Sequence, residues 1–310
     1  MVNYQPREPE VSGLDEYQRI LILLDERRFE EAQVRARLLL ESGDISLLIR
    51  AKTHNLLCWT FIEGIKRAAP EAVLHGEEAV HLAERLCKEP LKVQALLNLA
   101  CAYYQVADYE TARETYQKVV ALLTAHPGLL PCGMTIAHQG LAQIAQIQGQ
   151  PRVALDFLET AELYCQDDES RFLQADLFRR KALMLVKLNQ PEQAAEQLAR
   201  IPPDSFTSGP RSLWWKTHLG FTTARVEIAR GHFAAARTQI AGTLALAQEL
   251  ADLPVQAECT CLQALLDYAD GRKDAHKRAR AAITYAIHSG RRDVLSDIRE
   301  RLQPYLPGEM

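Results

Sequence analysis

The side chains able to do chemistry in this chain are sparse, and their spacing works against catalysis. His75 and His81, in the segment HGEEAVH, stand six residues apart. Two helical ligands for one metal ion need a spacing of three or four, so this pair falls on different sides of a helix and is expected at the surface. Cys259 and Cys261 are separated by one residue. On a helix they too diverge, one toward packing and the other half exposed. The Cys-X-X-Cys spacing of zinc and redox sites is missing. So are HExxH, GxSxG, GxxxxGK[ST] and GxGxxG. No cofactor or metal is expected, and no enzymatic reaction.

The bulk numbers exclude other classes. A net charge of −4 gives no global pull toward nucleic acid or an anionic membrane. No apolar run approaches the roughly 20 residues needed to cross a bilayer. The polar start MVNYQPREPEVSG has no secretory character, and the seven cysteines are odd in number. A cytosolic chain with reduced thiols is expected. Apolar residues at 47% and charged residues at 25% are those of a globular protein. Ala, Leu, Gln, Glu and Arg dominate, and these favour helices.

The elements that must position any site follow from spacing. In LLNLACAYYQVADYETARETYQKV, residues 96–119, Leu96, Leu99, Ala100 and Tyr103 lie on one helical face. Ala112, Tyr116 and Val119 lie on another, and VADYE breaks the two. That is a helix–turn–helix hairpin. Ala112 has counterparts at Ala32, Ala72, Ala154, Ala194, Ala236 and Ala279, 40 to 43 residues apart. Ala107, Gly149, Asn189 and Gly231 stand in the turns five residues before. Near Ala72 and Ala279 the turn glycines, Gly64 and Gly271, come eight residues before, which implies longer loops. A period of about 40 residues is the signature of a solenoid. An alanine lets two helices approach closely while larger neighbours fill the groove beside it.

This grammar resembles the tetratricopeptide repeat. Ala100, Tyr103, Ala112 and Tyr116 match that family's small and aromatic positions, and the resemblance spans residues 13–290. Repeats this long resemble those of bacterial regulators, including peptide-pheromone sensors. The resemblance implies an all-α, right-handed superhelix of seven hairpins, with residues 291–310 as a capping helix and tail. Residues 1–12 are expected to be disordered. Val294, Ile298 and Leu302 form the apolar face of the cap.

In a solenoid the first helix of each hairpin lines the concave surface. The candidate ligand contacts are therefore His54, Asn55, Cys58 and Phe61 in the second hairpin. The third adds Gln94, Leu97, Asn98, Cys101 and Tyr104, and the fourth adds Gln139, Gln143 and Gln146. The fifth supplies Arg179, Arg180 and Lys187, and the sixth His218, Phe221 and Arg225. Asn55 and Asn98 hold equivalent places, and such an amide can donate to and accept from one extended peptide. Some members of the family clamp a C-terminal carboxylate, but Ile136 and Gly140 stand where its basic partners would, so that clamp is not expected. Trp214 and Trp215 cannot both face inward, so one is expected to pack and the other to anchor a partner. Residues 271–301 hold nine Lys or Arg against four acids, a pattern that more often makes a solvated helix face. The expected function is a non-catalytic scaffold that holds a protein or peptide segment in its groove. The alternatives are a peptide-sensing regulator and a self-assembling repeat protein, a homo-oligomer.

Overall fold

The computed structural model describes residues 13–26, 28–63, 69–165, 171–202 and 212–306. The expectations for residues 1–12 and for Gly64 lie outside them. Fifteen helices form among the described residues, and they pair as seven successive hairpins. These are α1 (Leu14–Asp25) with α2 (Phe29–Glu41), α3 (Leu47–Glu63) with α4 (Ala69–Arg85), and α5 (Glu89–Gln105) with α6 (Tyr109–Ala125). Next come α7 (Gly133–Ile147) with α8 (Pro151–Leu163) and α9 (Arg171–Lys187) with α10 (Pro191–Ala199). The last pairs are α11 (Ser212–Ala229) with α12 (Phe233–Glu249) and α13 (Leu253–Ala269) with α14 (Ala275–His288). A terminal helix, α15 (Arg292–Leu302), follows. No described helix is long and apolar enough to cross a membrane.

The repeat alanines do what their size allows. Ala32, Ala72, Ala112, Ala154, Ala194, Ala236 and Ala279 are all fully buried. Each sits in the first turns of a second helix, where a larger side chain would push the hairpin apart. The turns are also uniform. Ala107, Gly149, Asn189 and Gly231 all adopt the left-handed conformation, with φ between 58° and 79°. At the α5–α6 turn the amide of Asp108 donates to the Tyr103 carbonyl at 3.0 Å, and the Val106 amide to Ala102 at 3.1 Å. Those bonds satisfy carbonyls that the end of a helix would leave open. Asp108 then starts α6, its side chain accepting from the Thr111 amide at 3.2 Å.

The contacts resolve into two compact units. The first holds residues 1–145 and 156–166, the second residues 146–155 and 167–310. In the first, one core gathers Ile20, Leu39, Ile49, Leu57 and Phe61, and another Leu96, Tyr116, Val119 and Ile144. In the second, Ala175, Phe178, Ile201 and Trp215 form one cluster. Val294, Ile298, Leu302 and Leu306 form another with Ala257, Cys261, Ala264 and Ala279, so α15 covers the apolar side of the last hairpin.

After α1, first helices are buried around most of their circumference. α13 touches α11, α12, α14 and α15. That corrects the expectation for its cysteines: Cys259 and Cys261 point apart, yet both are fully buried. Burial raises both thiols, Cys261 to about 11, so neither is a thiolate at neutral pH.

Candidate functional site

The first-helix side chains of the first unit are joined mostly as neutral pairs. Asn98 on α5 donates its amide nitrogen to the side-chain oxygen of Asn55 on α3 at 2.9 Å. Asn55 is buried, so this amide ties two hairpins together, and only Asn98 keeps a half-exposed face. His54 on α3 meets His75 on α4, with their Nδ1 atoms 2.9 Å apart. His75 also stacks on Phe61 at 5.7 Å. His75 is therefore half-buried rather than at the surface, because the hairpin partner supplies both a ring and a hydrogen bond. Burial lowers the His54 pKa to about 4, with His75 and Arg50 adding to the effect, and burial lowers His75 as well.

The remaining candidates of this unit pack in the same way. Cys101 Sγ lies 3.1 Å from the Tyr116 hydroxyl, and Cys58 is fully buried. Tyr104 meets Tyr109 edge-on at 5.6 Å. Phe61 and Leu97 belong to the cores, which removes them from the set free to bind. Gln94 is exposed and Gln143 half-buried. Gln139 is buried with its Nε2 lacking a partner among the described residues. At Gly140 the Tyr116 ring presses so close that a Cβ would lie 2.2 Å from it. No side chain of any charge fits there.

The second unit lines its first helices with ions. Asp176 on α9 is buried and accepts from Arg179 at 2.5 and 2.9 Å and from Arg180 at 2.5 Å. Burial alone would raise the Asp176 carboxyl, but the two guanidiniums reverse this and hold it well below the usual carboxylate range. Arg179 is itself buried. Neither arginine is the loose cation that the sequence suggested. The spacings of three and four from Asp176 carried that signal. His218 on α11 lies under Trp214, ring centroids 4.2 Å apart, and its Nε2 is 3.5 Å from Asp252. Burial lowers its pKa, and Asp252 acts against that. Trp215 is fully buried and Trp214 half-buried. Phe221, expected to be free, is buried. Arg225 is half-buried, as is Gln146 on α7.

Acids that the sequence reading passed over organise this unit. Fully buried Asp267 on α13 receives Arg237 from α12 at 2.9 Å and Arg278 from α14, with Arg272 at 3.7 Å. Arg301 on α15 pairs with Glu258 on α13 and, at 2.8 Å, with Asp297. Part of the basic run is thus structural: Arg272, Arg278 and Arg301 hold neighbouring helices. No group of three or more side chains suited to a metal ion occurs among the described residues.

Hairpins of this length, packed through small residues, with scattered half-buried polar side chains on their first helices, define an all-α helical-repeat solenoid with the tetratricopeptide-repeat fold. Among solved structures the chain is similar to Pseudomonas aeruginosa PilF, with a TM-score of 0.50 and 17% identity over 75% of this chain and 90% of that one. It is also similar to the kinesin light chain TPR-like repeats of Podosopora anserina, with a TM-score of 0.45 and 20% identity over 64% of this chain and 96% of that one. No family model and no curated protein matches the chain.

Proposed function

We propose that the chain is a non-catalytic scaffold that takes a protein or peptide segment against its first helices. One observation carries the reading. Half-buried polar side chains recur on successive first helices, at His54, Asn98, Gln143, Arg180, His218 and Arg225. Their buried atoms are largely paired, as the burial of polar groups requires, and each keeps part of its surface open. A lining of amides, rings and cations offers an extended peptide what its backbone and side chains need.

The test is retention of short overlapping peptides that tile the host's proteins, by the intact chain and by a Gln94→Ala, Gln143→Ala, Arg225→Gln variant of unchanged helicity. A peptide held by the first and lost by the second supports the reading. Equal retention by both would move binding elsewhere, and retention of nothing would remove it.

A second reading, assembly through the first hairpin, has its own observation. Leu21, Ile22, Val34 and Leu38 on α1 and α2 are 40–59% exposed, more apolar surface than a terminal hairpin needs. Sedimentation across a concentration series decides it: a single monomer mass throughout would sink assembly.

A further inference from the structure

Among the described residues of the second unit, Arg225 is a half-buried cation on a first helix without an ion-pair partner. Arg301 and Asp297 on α15 meet Glu258 on α13, and Lys187 at the end of α9 reaches Asp297 at 3.7 Å. Arg225 on α11 lies within electrostatic reach of Glu258, Asp297 and Arg301. Its guanidinium nevertheless makes no hydrogen bond or ion pair among the described residues. Its neighbour is the Phe221 ring, 5.7 Å from the guanidinium carbon. Arg179 and Arg180, on the adjacent first helix, are both held by Asp176.

The charges do not balance. Among the described residues, Lys187, Arg225 and Arg301 face two carboxylates, Glu258 and Asp297. Both carboxylates are engaged by Arg301, so the surplus positive charge rests on Arg225. Burial acts against that charge and, in the same low-dielectric setting, strengthens its attraction for an arriving anion. A guanidinium fork matches a carboxylate in shape as well as charge.

We propose that Arg225 is the recognition point for a single carboxylate of an acidic peptide segment. Lys187 and Arg301 add attraction, while Glu258 and Asp297 limit the site to one anion. The peptide as occupant rests on the scaffold reading above, whereas the carboxylate subsite is testable without it. Asp297 is the internal competitor, since it already draws Lys187 and Arg301. Two substitutions should therefore act in opposite directions. Arg225→Gln should weaken binding of a carboxylate about tenfold or more. Asp297→Asn should strengthen it several-fold. Damage to the fold would weaken binding in both.

The experiment follows the Nε–H resonance of Arg225 in the full chain labelled with 15N-arginine, assigned by its loss in Arg225→Lys. The probes are a blocked tripeptide amide with one glutamate, its glutamine counterpart, a blocked triglycine with a free C-terminus, and inorganic phosphate. A saturable shift with the glutamate peptide and none with the glutamine peptide is expected. The free C-terminus arm tells whether a side-chain or a terminal carboxylate is preferred. No saturable shift with either carboxylate, a stronger response to phosphate, or weaker binding in Asp297→Asn would overturn the proposal. Long peptides retained equally by the intact chain and by Arg225→Gln, whatever their acids, would also overturn it and leave the scaffold reading standing. Carboxylate binding that never improves with peptide length would leave the subsite standing and remove the scaffold reading.

Discussion

The two units share one repeat grammar and line their first helices with different chemistry. In the first, most first-helix contacts are neutral pairs: Asn55 with Asn98 between two hairpins, and His54 with His75 and Cys101 with Tyr116 within one, beside a single ion pair of Lys92 with Glu84. In the second the first helices carry ions: Asp176 holds Arg179 and Arg180 within α9, and Glu258 on α13 holds Arg301 on α15. The alanines that set the helix approach are buried alike in both. Packing positions therefore fix the fold, and the lining positions are free to carry whatever a ligand or a neighbouring helix requires. An ion network, once buried, tolerates the loss of a member less well than a neutral pair does.

That contrast predicts its largest effect at Asp176. Asp176→Ala leaves Arg179 buried without a counter-charge and should destabilise the second unit by about 3–5 kcal/mol. Urea unfolding measures the loss, and hydrogen exchange in α9 peptides locates it. The sign with pH follows from the depressed carboxyl. Its contribution is complete above the ordinary carboxylate value of 3.8 and is lost only as pH falls below that, through the folded-state value. A loss no larger than that of a neutral pair would break the comparison.

The neutral counterpart is Asn98→Ala. It leaves the buried Asn55 side-chain oxygen without its donor and should cost about 1–3 kcal/mol. Exchange should rise in α3 and α5. If Asn55→Ala in the Asn98→Ala background restores nothing and costs as much again, the two amides do not act as a pair.

The histidine pair makes the first unit sensitive to mild acid. His54 has a folded-state pKa of about 4, below its ordinary 6.5. Between those values the unfolded chain binds more protons than the folded one, so stability is full above pH 6.5 and falls toward pH 4. His75 shifts in the same direction, with Arg37 lowering it and Glu71 opposing. His54→Gln should flatten the pH dependence of exchange in α3 and α4. His218→Gln is the control for the second unit, where Asp252 works against the burial of that ring. An unchanged slope in His54→Gln would mean that the histidines do not act as a neutral pair.

Much of the fold was legible in the sequence, and less of the site. The Ala112 series marked all seven hairpins because a close helix crossing admits one small residue at one place. The site residues were chosen on the assumption that a polar first-helix residue is free. Asn55 and Arg179 are not, since each is buried against a partner. For Arg179 that partner stands three residues away and was within reach of helical spacing. For Asn55 it stands 43 residues away, and Glu258 with Arg301 are separated by the same interval. Pairs that link successive repeats are invisible to a reading of one helix at a time. Cys259 misled for another reason: diverging side chains imply one exposed face only when a helix has an open side, and α13 has neighbours all round.

The smallest effects sharpen the comparison at the turns, which both units share. Ala107 in the first unit and Gly231 in the second hold φ of 65° and 79°. An L residue in that region is disfavoured by roughly 1–2 kcal/mol, because its Cβ crowds the following carbonyl. Glycine avoids that crowding, but it gives the unfolded chain more freedom to lose, roughly 0.4–1 kcal/mol. Ala107→Gly should therefore stabilise by up to about 1 kcal/mol. Gly231→Ala should destabilise by a similar amount, since a Cβ there meets nothing within 4 Å and only the backbone preference acts. Urea midpoints with unchanged slopes would give both values. Effects of opposite sign and equal size would place the turns outside the difference between the units, leaving that difference to the lining alone. A large loss in Ala107→Gly would instead mean that the Ala107 methyl packs, and that the turn belongs with the core of the first unit.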